Sequence, residues 1–358
     1  MTNTLDKFNA AIFASIIIGL SVWSSGGFKL PTSTNAEAVI TGHSATEVEQ
    51  HYQKAFPIKD IVTNVWGAFN YQIFNEGREG VEVGVNAWLF SQEEYQLSAD
   101  YQNNLDANTN YIITAVNALQ KKGIESHIVV IPEKVEIYSD RLARVTPHNT
   151  LDLRDQVKSI LINHSLSVVD PYPALITKQD GDTFLRTDTH WSPLGAKLSA
   201  NWISHSLPAL QGQTQFRTEY IEDIPLRGDL LTFIPVSPYL ESLGPAGEML
   251  PVFQTQKIAE ETASLFGDDS LPSIALVGTS YSANEKWHFH GYLQQALKQD
   301  ILNYAVEGKG PFSPMAAFLS QSDADLAGID TVIWEIPVRY FVKPLPQDIA
   351  SSMTRNPS

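Results

Sequence analysis

A serine hydroxyl becomes a nucleophile when an imidazole takes its proton, and that imidazole needs an acidic partner to fix its tautomer. Two segments of this chain supply those residue types. The first is Gly278-Thr279-Ser280-Tyr281-Ser282, which follows the apolar run SIALV and precedes a helical pattern. A serine on a strand-to-helix turn is presented on a tight bend, beside backbone N–H groups that can meet an oxyanion. The pattern is close to Gly-x-Ser-x-Gly, with Ser282 in place of the second glycine. No lysine stands three residues after Ser280, so a Ser-x-x-Lys mechanism is out. Taken alone, a small turn of this kind also serves purely structural ends.

The second segment is Thr187-Asp188-Thr189-His190-Trp191-Ser192-Pro193. Asp188 and His190 stand two apart, just before a helix with Ser192 as its N-cap and Pro193 as its first residue. A loop there can present both side chains to one point. The alternative is that Asp188 caps a turn and His190 is a satisfied, partly buried histidine. His288 and His290 form a third pattern, His-x-His, which binds metal when it lies on a strand. Here it falls in an expected helix, where side chains two apart diverge. No nearby carboxylate completes a ligand set, so no metal and no cofactor are expected. With no cysteine in the chain, disulfides, thiolate nucleophiles and Cys-ligated zinc are excluded.

These residues need a scaffold, and short apolar runs supply it. Residues 127–132 (HIVVIP), 167–170 (SVVD), 273–278 (SIALVG), 301–306 (ILNYAV) and 331–337 (TVIWEIP) read as buried parallel strands. Helical periodicity occupies 103–122, 151–163, 193–207 and 283–298, and Gly123 offers a left-handed cap to the first of these. Strands alternating with helices predict an α/β fold, a parallel sheet flanked by helices. Sites in such sheets form outside the C-terminal strand ends. Residues 211–270 break the alternation, with prolines at 225, 235, 238, 245 and 251. They read as a long, loop-rich insertion, a flap facing the substrate.

Length and charge bound the rest. At 358 residues the chain fits two or three domains, or one large α/β domain. Its 43% hydrophobic content is enough for a large core and excludes a disordered chain. Forty acidic against 24 basic side chains give −16, which argues against nucleic acid as a partner. Residues 10–23 (AAIFASIIIGLSVW) carry no charge. Fourteen residues is the length of a signal-peptide core and short for a membrane span. Residues 1–30 therefore read as a signal peptide or membrane anchor, and 31–60 as a linker. The main domain is expected over 61–345, and 346–358 as a flexible tail.

With Ser280 and the Asp188/His190 pair in view, the sequence resembles the polysaccharide O-acetyltransferases of the AlgJ/AlgX type, within the SGNH (GDSL-like) hydrolase superfamily. The resemblance runs over about residues 64–343. It is carried by Ala87-Trp88-Leu89-Phe90, Ile131-Pro132-Glu133-Lys134, the Asp188/His190 and Ser280 segments, Gly308-Lys309-Gly310-Pro311 and Trp334-Glu335-Ile336-Pro337, in that order. Most SGNH hydrolases place serine first; this family, like this chain, runs Asp, His, Ser. The resemblance implies Ser280 as nucleophile, His190 as general base and Asp188 as its orienting acid. The N–H groups of Tyr281 and Gly310 are the expected oxyanion donors. It also implies a periplasmic enzyme that acetylates an exopolysaccharide such as alginate. The acetyl donor would be a membrane-bound O-acyltransferase, and other secretion proteins would be partners. AlgX-type members carry a C-terminal carbohydrate-binding module that is not found after the Trp334 strand, so the AlgJ-like subtype is expected. His288 departs from the smaller polar residue, such as Asn, expected at its place. A uronate polymer is a polyanion, and Lys134 and Arg339, each after an expected strand, could face it; the alternative is that they form structural ion pairs. Two other functions stay open: a carbohydrate acetylesterase using the same serine, and a non-catalytic polysaccharide-binding protein of the secretion machinery.

Overall fold

The computed structural model describes residues 4–25, 36–55, 59–143, 151–258 and 272–355. The chain divides into two units, one of residues 1–74 with 235–244, the other of 75–234 with 245–358.

The smaller unit is helical. Helix α1 (Thr4–Ser25) extends the uncharged run on both sides to 22 residues, about 33 Å at 1.5 Å per residue. Its window Lys7–Ser24 has a mean hydropathy of 1.4 and is long and apolar enough to cross a membrane. The linker expected over 31–60 is in large part helical instead: α2 spans Ala36–Ile40, α3 His43–Ala55, and α4 begins at Lys59 and runs to Phe69. Glu, Gln, Lys and Ala in the α3 segment are good helix formers, and they outweigh the Ser/Thr content that suggested a stalk.

The larger unit holds a five-stranded, all-parallel sheet. Its strands are β3 (Glu125–Ile131), β4 (Ser167–Val169), β7 (Ile274–Val277), β8 (Ile301–Asn303) and β9 (Thr331–Pro337), in the order β4-β3-β9-β7-β8. All five expected strands are present. β7 and β9 are buried along their whole length, as strands covered on both faces must be. The period of two sorts their side chains. Val129, Ile131, Leu276 and Ile333 face helices α7 (Pro193–Ser206) and α8 (Phe289–Leu297). Ile128, Val130, Val277, Val332 and Trp334 face α5 (Tyr101–Lys121), α6 (Leu153–Asn163) and α9 (Phe312–Leu319). Ser192 caps α7 by accepting from the Gly195 N–H at 3.1 Å, and Gly123 takes φ +78 after α5, both as expected.

Four expectations need correction. The segment 211–270 contains an antiparallel hairpin, β5 (Phe216–Leu226) with β6 (Glu248–Lys257). Pro225 and Pro251 lie inside these strands; a two-stranded sheet has only edges, where a missing N–H is tolerated. Residues 259–270 of that segment lie outside the described residues. The helix expected over 283–298 is broken into a short turn, Ser280–Ala283, and α8, with His288 at φ +59 between them. A small hairpin, β1 (Val81–Val83) with β2 (Leu89–Ser91), precedes the sheet and was not anticipated. The tail, expected to fray, forms α10 (Gln347–Arg355), anchored by the buried Ile349 in the α5 face of the core.

Candidate active site

β7 delivers the chain to Gly278 and Thr279, and Thr279 caps the turn that opens with Ser280. His190 and Asp188 arrive on the loop before α7, and the three side chains form one line. The Ser280 hydroxyl lies 2.7 Å from His190 Nε2, and His190 Nδ1 lies 2.6 Å from Asp188 Oδ1. With Nδ1–H donating to the carboxylate, Nε2 is left as the acceptor for the serine proton. Asp188 Oδ1 also accepts from the His190 N–H at 3.0 Å, and Oδ2 from the Asp229 N–H at 3.0 Å. Burial pushes the Asp188 carboxyl up, but these bonds and the imidazole outweigh it and hold it below the usual carboxylate range. The Trp287 ring stacks on the imidazole at 5.0 Å and 22°.

The loop bearing Asp188 and His190 is held from several sides. Leu185 N–H donates to His190 O, and Phe184 bridges Trp191. Glu248, at the start of β6, accepts from the N–H groups of Arg186 at 3.1 Å and Thr187 at 2.6 Å. The hairpin read as a flap is thus part of the loop's support. Asp188, His190 and Asp229 bring ligand-type atoms within 4.8 Å of one another. Those atoms are committed to hydrogen bonds, since Asp229 accepts the N–H and hydroxyl of Thr189 at 2.9 and 2.6 Å.

Lys134 and Arg339 are both buried, although Arg339 also lines a small cavity with Glu93 and Lys343. Lys134 is fully buried, and its ammonium donates to the carbonyls of Leu89, Arg186 (3.1 Å) and Asp188 (2.9 Å). Burial lowers its pKa to about 8, against the pull of Glu94 and other carboxylates. It ties the β2 strand to the loop that carries Asp188 and His190. Arg339 is buried against Glu133, with its N–H and Nη1 each 2.6 Å from a Glu133 oxygen, and it lies beneath the Tyr281 ring. Both side chains turn inward because buried polar and charged groups on the neighbouring segments need them.

The expected oxyanion donors are placed differently from one another. Tyr281 N–H is next to Ser280 and already donates to Thr279 Oγ1 at 3.2 Å. Gly310 has φ +62 and packs under the Tyr340 ring, where a Cβ would meet the ring at 2.9 Å. No hydrogen bond joins Gly310 to the three catalytic candidates among the described residues. His288 and His290 diverge, as expected: His288 Nε2 pairs with Thr255 Oγ1 at 2.7 Å, and His290 Nε2 with Ile301 O at 2.8 Å.

One site residue had gone unassigned. Glu335, fully buried on β9, accepts from the Thr279 N–H (2.7 Å), the Thr279 hydroxyl (3.0 Å) and the Ser282 hydroxyl (3.0 Å). It clamps the turn on both sides of Ser280. Gly278 makes room for it, since a Cβ there would lie 2.5 Å from Glu335 Oε2. The signal was a lone carboxylate inside the apolar run TVIWEIP, where a charge must have a purpose.

His288 gives the unit a pH-dependent component. Burial, then the neighbouring His290, lowers its pKa from 6.5 to about 4. Between those values the unfolded chain binds the proton more tightly, so stability falls as pH drops through that window. The midpoint of urea unfolding is therefore expected to fall from pH 7 to pH 5. The fall should be smaller in His288→Asn, which tolerates φ +59 and does not titrate. Equal slopes in both proteins would refute this role.

A parallel sheet flanked by helices, with serine, histidine and carboxylate in contact at its C-terminal strand ends, defines an SGNH hydrolase-like protein. The chain belongs to the family described as "SGNH hydrolase-like domain, acetyltransferase AlgX", which matches residues 81–338, and it is by that kinship an acetyltransferase. It is 37% identical to the probable alginate O-acetylase AlgJ of Pseudomonas putida, over 98% of this chain and 93% of that one. It is 26% identical to the alginate biosynthesis protein AlgX of Pseudomonas aeruginosa, over 71% of this chain and 54% of that one. Among solved structures, the O-acetyltransferase domain of Pseudomonas putida AlgJ superposes with a TM-score of 0.68 at 32% identity. That match covers 78% of this chain and all of that domain.

Proposed function

We propose that this enzyme O-acetylates an exported uronate polymer of the alginate type through an acetyl-Ser280 intermediate. The observation that carries the reading is the unbroken Asp188–His190–Ser280 line of contacts, in a chain similar to alginate O-acetylases along nearly its whole length. Ser280 Oγ attacks the acetyl carbonyl while its proton passes to His190 Nε2, and Asp188 stabilises the imidazolium. The oxyanion would be met by the N–H of Ser280, unpartnered among the described residues, and by that of Tyr281 as it leaves Thr279. Collapse breaks the bond to the donor's leaving group, which takes the proton from His190. A sugar hydroxyl then attacks the acetyl carbon, gives its proton to His190, and leaves as the ester while Ser280 regains its hydrogen.

In this reading the domain of about 61–345 works in the periplasm, and α1 serves as export signal or inner-membrane tether. The acetyl group would come from a membrane-bound O-acyltransferase, among the other proteins of polysaccharide secretion. The test uses the full chain in detergent with a chromogenic acetyl ester, with and without short alginate oligosaccharides, followed by mass spectrometry of the sugars. Serine-dependent turnover with acetylated sugar is expected. Hydrolysis alone, unchanged by the acceptor, would mean an acetylesterase, and turnover surviving in Ser280→Ala would sink the triad.

A further inference from the structure

We infer that the cleft between β6, the turn after Ser280 and α8 is the acceptor subsite, and that Lys286 there binds a uronate carboxylate. The inference rests on the proposed function and places its acceptor. The cleft has a volume of about 770 Å³, within the range of ligand sites, against 380 and 330 Å³ for two other cavities. The first of those two opens at the N-terminal ends of β3 and β4, away from Ser280. The large cleft is continuous with the catalytic turn. Its wall includes Ser282, Ala283 and Asn284, which follow Ser280 directly. Trp287, stacked on His190, follows Lys286 directly in the chain.

The lining suits a sugar polymer. Phe253 on β6 is half-buried and presents an aromatic face, on which a pyranose can lay its C–H side. Gln254 on β6 and Gln294 on α8 add amide groups, each both donor and acceptor, to the lining. His288, paired with Thr255, stays neutral at pH 7. Lys286 is exposed, and among the described residues no carboxylate pairs with it, unlike Arg339, Lys122 and Lys343. In a chain at −16, a free cation on the lip of a sugar-sized cleft is what a polyanionic acceptor requires. Glu285 beside it is the opposing charge, and it limits the affinity.

The test is calorimetric titration of short alginate oligosaccharides into the full chain in detergent at low salt, without acetyl donor. Saturable binding is expected, about tenfold weaker in Lys286→Glu, retained in Lys286→Arg and strengthened in Glu285→Gln. Lys122→Glu, at the opposite end of the sheet, controls for net charge and should bind as the wild type does. Absence of saturable binding, equal binding by Lys286→Glu, or equal binding of a neutral cello-oligosaccharide would overturn the assignment. The readout needs no chemistry at Ser280. Ester turnover surviving in Ser280→Ala would therefore overturn the proposed mechanism, while this titration separately decides the cleft.

Discussion

Replacing His190 by alanine is expected to lower acetyl-ester turnover by about 10⁴-fold or more, about 5.5 kcal/mol of barrier. The imidazole is the only base in hydrogen-bond contact with Ser280 Oγ among the described residues, at 2.7 Å. Without it the hydroxyl must attack with its proton in place. Asp188→Asn should fall by a similar factor although it keeps the shape of the site. An amide at 2.6 Å from Nδ1 turns its N–H toward the ring and favours the tautomer with the proton on Nε2, which faces the serine wrongly. Because these groups act as a unit, the double variant should be little worse than either single one. Circular dichroism and Tm close to the wild type would show that the fold survives. Losses that simply multiply, or a His190→Ala enzyme within tenfold of wild type, would contradict the relay.

Glu335→Ala is expected to cost about 10²-fold in kcat and about 3 kcal/mol or more in stability, with little change in KM for a small ester. The carboxylate touches no reacting atom. It holds Thr279, before Ser280, and Ser282, two residues after it, and its removal strands three buried donor groups. Burial pushes its own pKa up, against the donors and the Arg339 charge that pull it down. Glu335→Gln keeps the volume and one acceptor oxygen but points an amide N–H at a donor, so its defect should be intermediate. A purely structural residue would lower Tm without lowering kcat in the fraction that remains folded. Urea unfolding together with active-site titration separates the two.

The parts legible in the sequence were those governed by local pattern. Apolar runs such as TVIWEIP and SIALV had to be buried strands, and Ser192-Pro193 and Gly123 marked helix ends through their own backbone chemistry. Asp188, His190 and Ser280 were legible by type and by their places before a helix and on a strand-to-helix turn, but their meeting across 90 residues of chain is a property of the fold. The side-chain direction of Lys134 and Arg339 was not legible. Both follow strand ends, where sites form, yet Glu133 and three carbonyls from two segments draw them inside. The β5–β6 hairpin was hidden by its prolines, which forbid a central strand but not an edge. The helix of the tail is tied to a distant core through Ile349, and no local signal announces that.

The proposed transfer depends on a covalent acetyl-Ser280 intermediate. It is tested most directly by brief incubation of the full chain with an activated acetyl ester at acidic quench, followed by proteolysis and mass spectrometry of the peptide that contains Ser280. One acetyl group is expected on Ser280, lost when alginate oligosaccharide is added and recovered on the sugar. No label is expected in Ser280→Ala. Acetylation confined to another residue, or acetylated sugar formed by the Ser280→Ala protein, would contradict it.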